Sequence, residues 1–254
     1  MSLYGETQLN KFITDDVQLI ARPGSPGLNT PTLIRIKEGE PIGQLFGPKF
    51  SGIGANGEWL FTKADGSEVV YGDLTFGASP DSDEQILGNG LPDYQIGWTN
   101  TLTYKNFDLG FFIEGVFGHQ LANMYSLFYS PPKQISAYNV LKEAFELEQL
   151  KDDPRWSSRY VEDADFVRIN NASVGYTFPV SSGSHIRRLR LYVSGNNLLT
   201  LTDYSGLNPQ VRYVDQNLGQ SEQGASGGSL APGIERRLEW FTARSISVGL
   251  NLTL

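Results

Sequence analysis

Cysteine is absent from this chain, which excludes disulfides and thiolate metal sites and suits an extracytoplasmic protein. Histidine occurs only at His119 and His185, neither in metal-ligand spacing with a second imidazole; a surface position is expected for both. Positive charge is in short supply: 20 Lys and Arg stand against 28 Asp and Glu, net −8. A nucleic-acid partner needs a basic stripe, so none is expected. No run approaches the roughly 18 apolar residues of a membrane-spanning helix. The first twenty residues lack the apolar core of a signal peptide, so the chain reads as a mature segment or as starting away from the true N-terminus. NGLPD, GASGG and SGSH lack the Gly-x-x-x-x-Gly-Lys-Ser/Thr order of a phosphate loop.

What is present is alternation. Ile246, Val248, Leu250, Leu252 and Leu254 alternate with Ser247, Gly249, Asn251 and Thr253. Side chains alternate across a strand, so one face is apolar and the other polar. Tyr94–Tyr104 repeats the pattern, with Tyr94, Ile96, Trp98, Leu102 and Tyr104 on one face and Asn100 interrupting it. At about 11 residues it matches a tilted membrane strand. Lys105-Asn106 then predicts a tight turn into a partner strand with Phe107, Leu109, Phe111 and Ile113 on the apolar face. A third strand carries Ala172, Val174, Tyr176 and Phe178; Val167 and Ile169 fall in the opposite phase, which predicts a bulge or an early membrane exit nearby. A fourth carries Leu189, Leu191 and Val193, with Arg190, Tyr192 and Ser194 opposite. Aromatics at strand ends with apolar-out, polar-in alternation read as an antiparallel transmembrane β-barrel. On this reading Arg190→Ala is mild, whereas Leu250→Arg is harmful.

Connections alternate in length. The turns at Lys105-Asn106 and Pro179–Ser184 are short; 119–163 and 201–236 are long, and the barrel convention makes the long ones external. Val140, Leu141, Ala144, Phe145 and Leu147 predict a short helix within the first long loop. Residues 1–92 suggest two or three further strands, a loop or hairpin at 55–67, and a loop from Tyr71. Five strands and two or three uncertain ones do not close a barrel of at least eight, and open edges are costly in lipid. The fold class expected is therefore all-β, a partial barrel from the C-terminal part of a larger one. The alternative is a soluble all-β glycan-binding module, a sandwich or jelly roll, with its apolar faces in a core.

Four stretches carry a family resemblance: GEPIGQLFGPKFSGI (39–53), ILGNGLPDYQIGWTNTLTYKNFDLGFFIEGVFG (86–118), SSRYVEDADFVRINNASVGYTFP (157–179) and LRLYVSGNNLLTLTDYSGLNPQV (189–211). In order and spacing they resemble the C-terminal barrel portion of the TonB-dependent outer-membrane transporters of the SusC/RagA type. The resemblance implies import of a bulky glycan or peptide fragment across the outer membrane of a Gram-negative bacterium. It implies a 22-stranded barrel, a plug through which TonB supplies energy and a SusD-like surface lipoprotein as partner. It implies no enzyme activity and no cofactor. Plug and TonB-contact motifs are absent from this sequence. The family often carries an EF-hand-like stretch before its Gly-Asn-x-x-Pro-Asp; here the corresponding residues, including Asp81–Glu84, lack the Asp-x-Asp-x-Asp-Gly order. The chain ends in Leu254, where the family tends to an aromatic.

Candidate solute contacts are Trp156, Tyr204, Tyr213 and Trp240, which lie in or beside the long loops. Such rings stack on sugars or peptide side chains, and equally pack loops or form an interfacial girdle. Glu143, Glu146, Glu148, Asp152 and Asp153 read as a solvated acidic face, because hydrolysis requires two acids converging in a cleft.

Overall fold

A computed structural model describes residues 2–3, 17–23, 31–181, 185–210, 212–213, 231–237 and 240–254. In chain order the strands are β1 (Ser2–Leu3), β2 (Gln18–Ile20), β3 (Ile34–Ile36), β4 (Gln44–Gly47), β5 (Lys49–Ile53), β6 (Trp59–Thr62), β7 (Glu68–Val70), β8 (Gln85–Asn89), β9 (Tyr94–Tyr104), β10 (Phe107–Phe117), β11 (Gln120–Asn123), β12 (Val161–Asp163), β13 (Phe166–Phe178), β14 (Arg188–Thr202), β15 (Ile234–Glu235) and β16 (Ser245–Thr253). One short helix, α1 (Met124–Tyr129), follows β11.

The five strands expected from alternation, β9, β10, β13, β14 and β16, form the wall, joined by the short β1 in an antiparallel sheet of order β1-β9-β10-β13-β14-β16. It does not close on itself; the outer edge of β16 is unpaired among the described residues, and β9 meets only the two residues of β1 beyond β10. Register aligns the apolar residues into rows across the strands. Leu102, Leu109, Val174, Val193 and Val248 make one row; Tyr104, Phe107, Tyr176, Leu191 and Leu250 make the next. These residues, with Ile96, Trp98, Phe178, Leu189, Ile246, Leu252 and Leu254, lie exposed or half-buried on one side. Leu250, for example, is 60% exposed.

The predicted phase change is a bulge. Pairing shifts between Ile169 and Asn171, and opposite them Asn197 and Leu198 have no partner in the ladder. Asn197 adopts φ 52°, a left-handed conformation that Asn tolerates better than most residues. Past this point Val167 and Ile169 pair with Leu201 and Leu199 and rejoin the apolar face.

The opposite face is polar, and glycines there make room for long side chains lying flat. Arg190 crosses Gly175 to reach Asp108 two strands away, with Nε–Oδ1 2.9 Å and a second hydrogen bond of 2.5 Å. A Cβ on Gly175 would strike that guanidinium. Tyr192 lies over Gly249 in the same way. Arg190 thus faces the polar side as expected, with an ion-pair partner that spacing could not reveal. The pair is partly wet, a setting in which such bridges contribute about 0–1 kcal/mol.

All the long connections leave one end of the wall, and the principal hydrophobic core lies in them. Trp59, Phe61, Leu127, Phe128, Trp156 and Tyr160 pack there with Leu33, Ile34, Ile36 and Leu45. The strands suspected within residues 1–92 exist but belong to this head rather than to the wall: β2-β3-β4-β8 is one small sheet, whose β8 lies in the stretch from Tyr71 expected as a loop, and β5-β6-β7 is another, which makes a hairpin of the loop or hairpin expected at 55–67. Residues 9–16, part of the 179–184 turn and the centre of the last long loop lie outside the described residues. The helix expected near Leu141 is instead α1, started by Asn123 Oδ1 accepting from Ser126 N at 2.9 Å. Lys142–Phe145 makes only a 3-10 turn, because Ala144, Leu147 and Leu150 turn into the core while Phe145 stays exposed.

A sandwich would cover the apolar face of its large sheet. Here that face is bare and the loops carry the core, an inversion of the soluble pattern that suits a wall surrounded by hydrocarbon.

Candidate functional site

The head joins the wall through a polar junction at the loop end. Its centre is Glu235, fully buried in β15. Glu235 Oε2 accepts from Tyr204 Oη (2.8 Å) and Leu207 N (2.9 Å), and Oε1 accepts from Asn208 N (2.9 Å). Arg212 Nη2 supplies the countercharge at 3.2 Å. Tyr-Ser-Gly-Leu-Asn-Pro (204–209) is therefore wrapped around one carboxylate. Burial first, then the Glu235 charge, holds the Tyr204 phenol well above its ordinary range, so it stays protonated and donates.

Two further residues tie this wrap to the wall. Arg168, buried in β13, donates Nη2–H to Asn208 Oδ1 (2.7 Å), Nη1–H to Gln210 Oε1 (3.1 Å) and Nε–H to Thr200 Oγ1 (3.0 Å). Glu162 Oε1 accepts from Asn123 Nδ2 (2.8 Å) and Ser205 Oγ (2.9 Å), and its Oε2 from Ser205 N (2.9 Å). The Val-Glu-Asp-x-x-Phe-x-Arg stretch and the Tyr-Ser-Gly-Leu-Asn-Pro stretch are two halves of one joint. Charged donors and acceptors make such bonds roughly twice as strong as neutral ones.

The Gly-Asn-Gly-Leu-Pro-Asp stretch (88–93) closes the joint from the other side. Gly90 N donates to Gly43 O (2.9 Å), and Asn89 N to Gln120 Oε1 (2.8 Å). Gly90 lies against the 232–233 backbone so closely that a Cβ there would come within 2.5 Å of Gly233 Cα and 2.6 Å of Pro232 O. Backbone cannot swing aside, so Gly90→Val is expected to destabilise the junction by about 1–3 kcal/mol. Gly52→Ala, with no atom near the added carbon, is the matched control. Thermal melting of the two variants in detergent checks the contrast.

His119 corrects an expectation: it is buried rather than on the surface. Its Nε2 lies 2.9 Å from Pro209 O, to which it donates. Burial holds the imidazole below its ordinary range, opposed by the Pro209 carbonyl and by Asp165 and Asp163. The folded ring is therefore neutral, while an unfolded histidine takes up its proton near pH about 6.5. Below that pH the opened loop binds more protons than the closed one, so the junction weakens as pH falls. Protection of the 118–165 and 203–210 amides, measured against the intrinsic exchange rate at each pH, is expected to fall at about pH 5.5, and His119→Gln to remove much of that dependence. His185 is exposed, as expected.

The four candidate aromatics do not converge. Trp156 is 1% exposed, donates Nε1–H to Phe46 O (2.8 Å) and packs in the core of the head. Tyr204 is the buried donor to Glu235. Both hold loops in this conformation, the packing role sequence had offered beside solute contact. Tyr213 is exposed, and its hydroxyl accepts from Gln95 Nε2 (3.3 Å) on the polar face of β9. Trp240 is 88% exposed beside Phe241. The acids at 143–153 stay at the surface, with Asp153 paired to Lys133 at 2.8 Å. Asp83 Oδ2 accepts from Thr75 N and lies 3.5 Å from Lys63 Nζ, and Glu84 Oε2 accepts from Gly77 N. Their carboxylates fold their own loop, and among the described residues no three His, Asp or Glu gather as metal ligands.

Glu235, Arg168, Glu162 and Asn208 were not singled out from sequence. Glu162, Arg168 and Asn208 lie within the stretches that carry the family resemblance, and Arg168 also stands out as a charge within an otherwise apolar and polar-neutral strand; Glu235 left no signal.

A partial antiparallel wall with an apolar outer face, a polar inner face and a folded mouth at one end defines a membrane β-barrel segment. No family model matches the chain. It is 32% identical over 219 residues to TonB-dependent receptor P3 of Formosa agariphila, covering 80% of this chain and 22% of that protein. TonB-dependent receptor SusC of Bacteroides thetaiotaomicron is 26% identical over 151 residues, 56% of this chain and 15% of SusC. Among solved structures, the RagAB peptide importer in its open-open and closed-closed states superposes with TM-scores of 0.63 and 0.65. Identity there is 17% and 18%, over 98% and 95% of this chain and 25% of that one. The chain belongs to the TonB-dependent receptors of the SusC/RagA type, as the C-terminal portion of their β-barrel. It spans roughly a fifth of the length of the curated relatives it matches.

Proposed function

We propose that this chain supplies wall and mouth to an active importer of a bulky nutrient, a glycan or peptide fragment, in the outer membrane of a Gram-negative bacterium. The observation that carries this reading is the inversion described above: a bare apolar sheet face, a polar opposite face and a core-bearing mouth at one end. Segments 119–163 and 201–236 are external loops, joined by the 4–93 connection. The junction around Glu235 fixes these loops on the strands so that a lid can open and close against a stable rim. That lid is a SusD-like surface lipoprotein, and energy comes from TonB through a plug domain. Tyr213, beside Gln95 on the polar face, is the aromatic we assign to solute contact.

Uptake by cells tests the proposal. Cells with and without the gene are offered labelled glycan fragments and labelled peptides. Energy-dependent uptake of one class, lost on deletion and abolished by a protonophore, is expected. Equal uptake of both classes in the two strains contradicts it.

A further inference from the structure

In the head, a cleft of about 270 Å³ opens between β3 and the loop that precedes β8. Arg35, Lys37 and Phe46 line one side, and Gly77, Pro80 and Glu84 the other. Strand alternation builds the first side: Ile34 and Ile36 are buried in the core, so Arg35 and Lys37 point away from it. Gly77 builds the second. It adopts φ 116°, which glycine takes far more readily than other residues, and its N–H meets Glu84 Oε2 at 2.9 Å.

The two sides carry opposite charge. Arg35 lies over the Phe46 ring at 5.5 Å and uses Nε and Nη2 on Gln44 and Glu40; its Nη1 makes no hydrogen bond among the described residues. Lys37 Nζ meets the same Glu40 at 2.9 Å. One carboxylate thus answers two cations, and that side keeps a positive charge. Across the cleft, Glu84 is 8% exposed and has no basic residue within ion-pair distance among the described residues. Burial holds its carboxyl above the ordinary range, opposed by the Gly77 amide and the Ser82 hydroxyl.

Charges of opposite sign that share a cleft yet do not pair leave room for a ligand carrying the complementary two. A neutral sugar offers neither. A carboxylate would meet the open edge of the Arg35 guanidinium, and an ammonium would supply the countercharge that Glu84 lacks. Ligand pockets usually start at about 300 Å³, so this one is small: it excludes an oligosaccharide and takes an amino acid or a dipeptide. We propose that Arg35, Lys37 and Glu84 form a binding site for a small zwitterion, an amino acid or dipeptide, held between β3 and the 77–84 loop.

Calorimetric titration of the full-length receptor in detergent tests the site. The probes are alanyl-alanine, its N-acetylated form and its C-terminal amide, with maltose as a neutral competitor. Wild type is expected to bind alanyl-alanine about tenfold more tightly than either capped form, and maltose should not displace it. Glu84→Gln keeps an oxygen for Gly77 N but removes the charge. It should bind free and acetylated dipeptide alike while still discriminating against the amide. Arg35→Gln should do the reverse. Lys37 is exposed, so Lys37→Gln repeats that second comparison without disturbing the sheet, and the preference for the free carboxylate should shrink. A merely structural role for these residues would move all the probes together. The site is overturned if wild type binds no dipeptide, if capping changes nothing, if maltose displaces the dipeptide, or if the variants weaken every probe equally. Titration reads binding apart from transport. Cells that take up nutrient while the purified receptor ignores the dipeptide would therefore sink the site and leave the import reading standing.

Discussion

Leu250→Arg is expected to abolish assembly of the receptor into the outer membrane, while Asn251→Arg, one residue further along, leaves it largely intact. Leu250 lies in the middle of β16, opposite Leu191, with its side chain on the bare apolar face. An arginine facing lipid near the bilayer midplane costs about 2–4 kcal/mol, and β16 has one neighbour, β14, in the sheet described. Asn251 points to the polar face beside Arg190, where a cation meets water. The heat-shifted band on a cold gel measures the folded fraction of each variant. Equal assembly of the two would reverse or erase the assignment of faces.

Glu235→Ala should leave the wall folded and dissolve the mouth. The substitution strands three donors, the Tyr204 hydroxyl and the Leu207 and Asn208 amides, and removes the carboxylate that Arg212 Nη2 meets. Each buried donor left without an acceptor costs about 1–3 kcal/mol. Among the described residues the junction has no other carboxylate positioned to replace it, since Glu162 is already engaged by Asn123 and Ser205. Protease added to intact cells should therefore cut in 203–210 and 118–165 in the variant and spare wild type. Glu235→Gln keeps a carbonyl oxygen for the amides and should fall between. If Glu235→Ala resisted protease as wild type does, the carboxylate would not be what holds the loops.

The wall was legible because its signal is local. Alternation with period two is written into consecutive residues, and even the bulge showed itself as Val167 and Ile169 stepping out of phase with Val174 and Tyr176. The junction was not legible, because its members lie far apart in the chain. Glu162, Arg168, Asn208 and Glu235 are drawn together by loop paths that no spacing rule encodes. Trp156 illustrates the same limit: an aromatic in a polar loop reads equally as a binding ring or a core ring, and only the position of Phe46 and its carbonyl decides. Likewise Ile34–Ile36 and Trp59–Thr62 carry strand signals as good as a wall strand's. They are three and four residues long, too short to span, and pack into the head instead.

The most direct test of the membrane wall is accessibility along β16. This chain brings no cysteine of its own, so once any cysteine elsewhere in the full-length receptor is replaced, single cysteines at positions 246 to 252 each carry a spin label in native membranes. Positions 246, 248, 250 and 252 should be reached by oxygen dissolved in lipid, and 247, 249 and 251 by a water-soluble nickel chelate. A two-residue period in that order is the expected result. No period, or water reaching the even positions, would contradict the account.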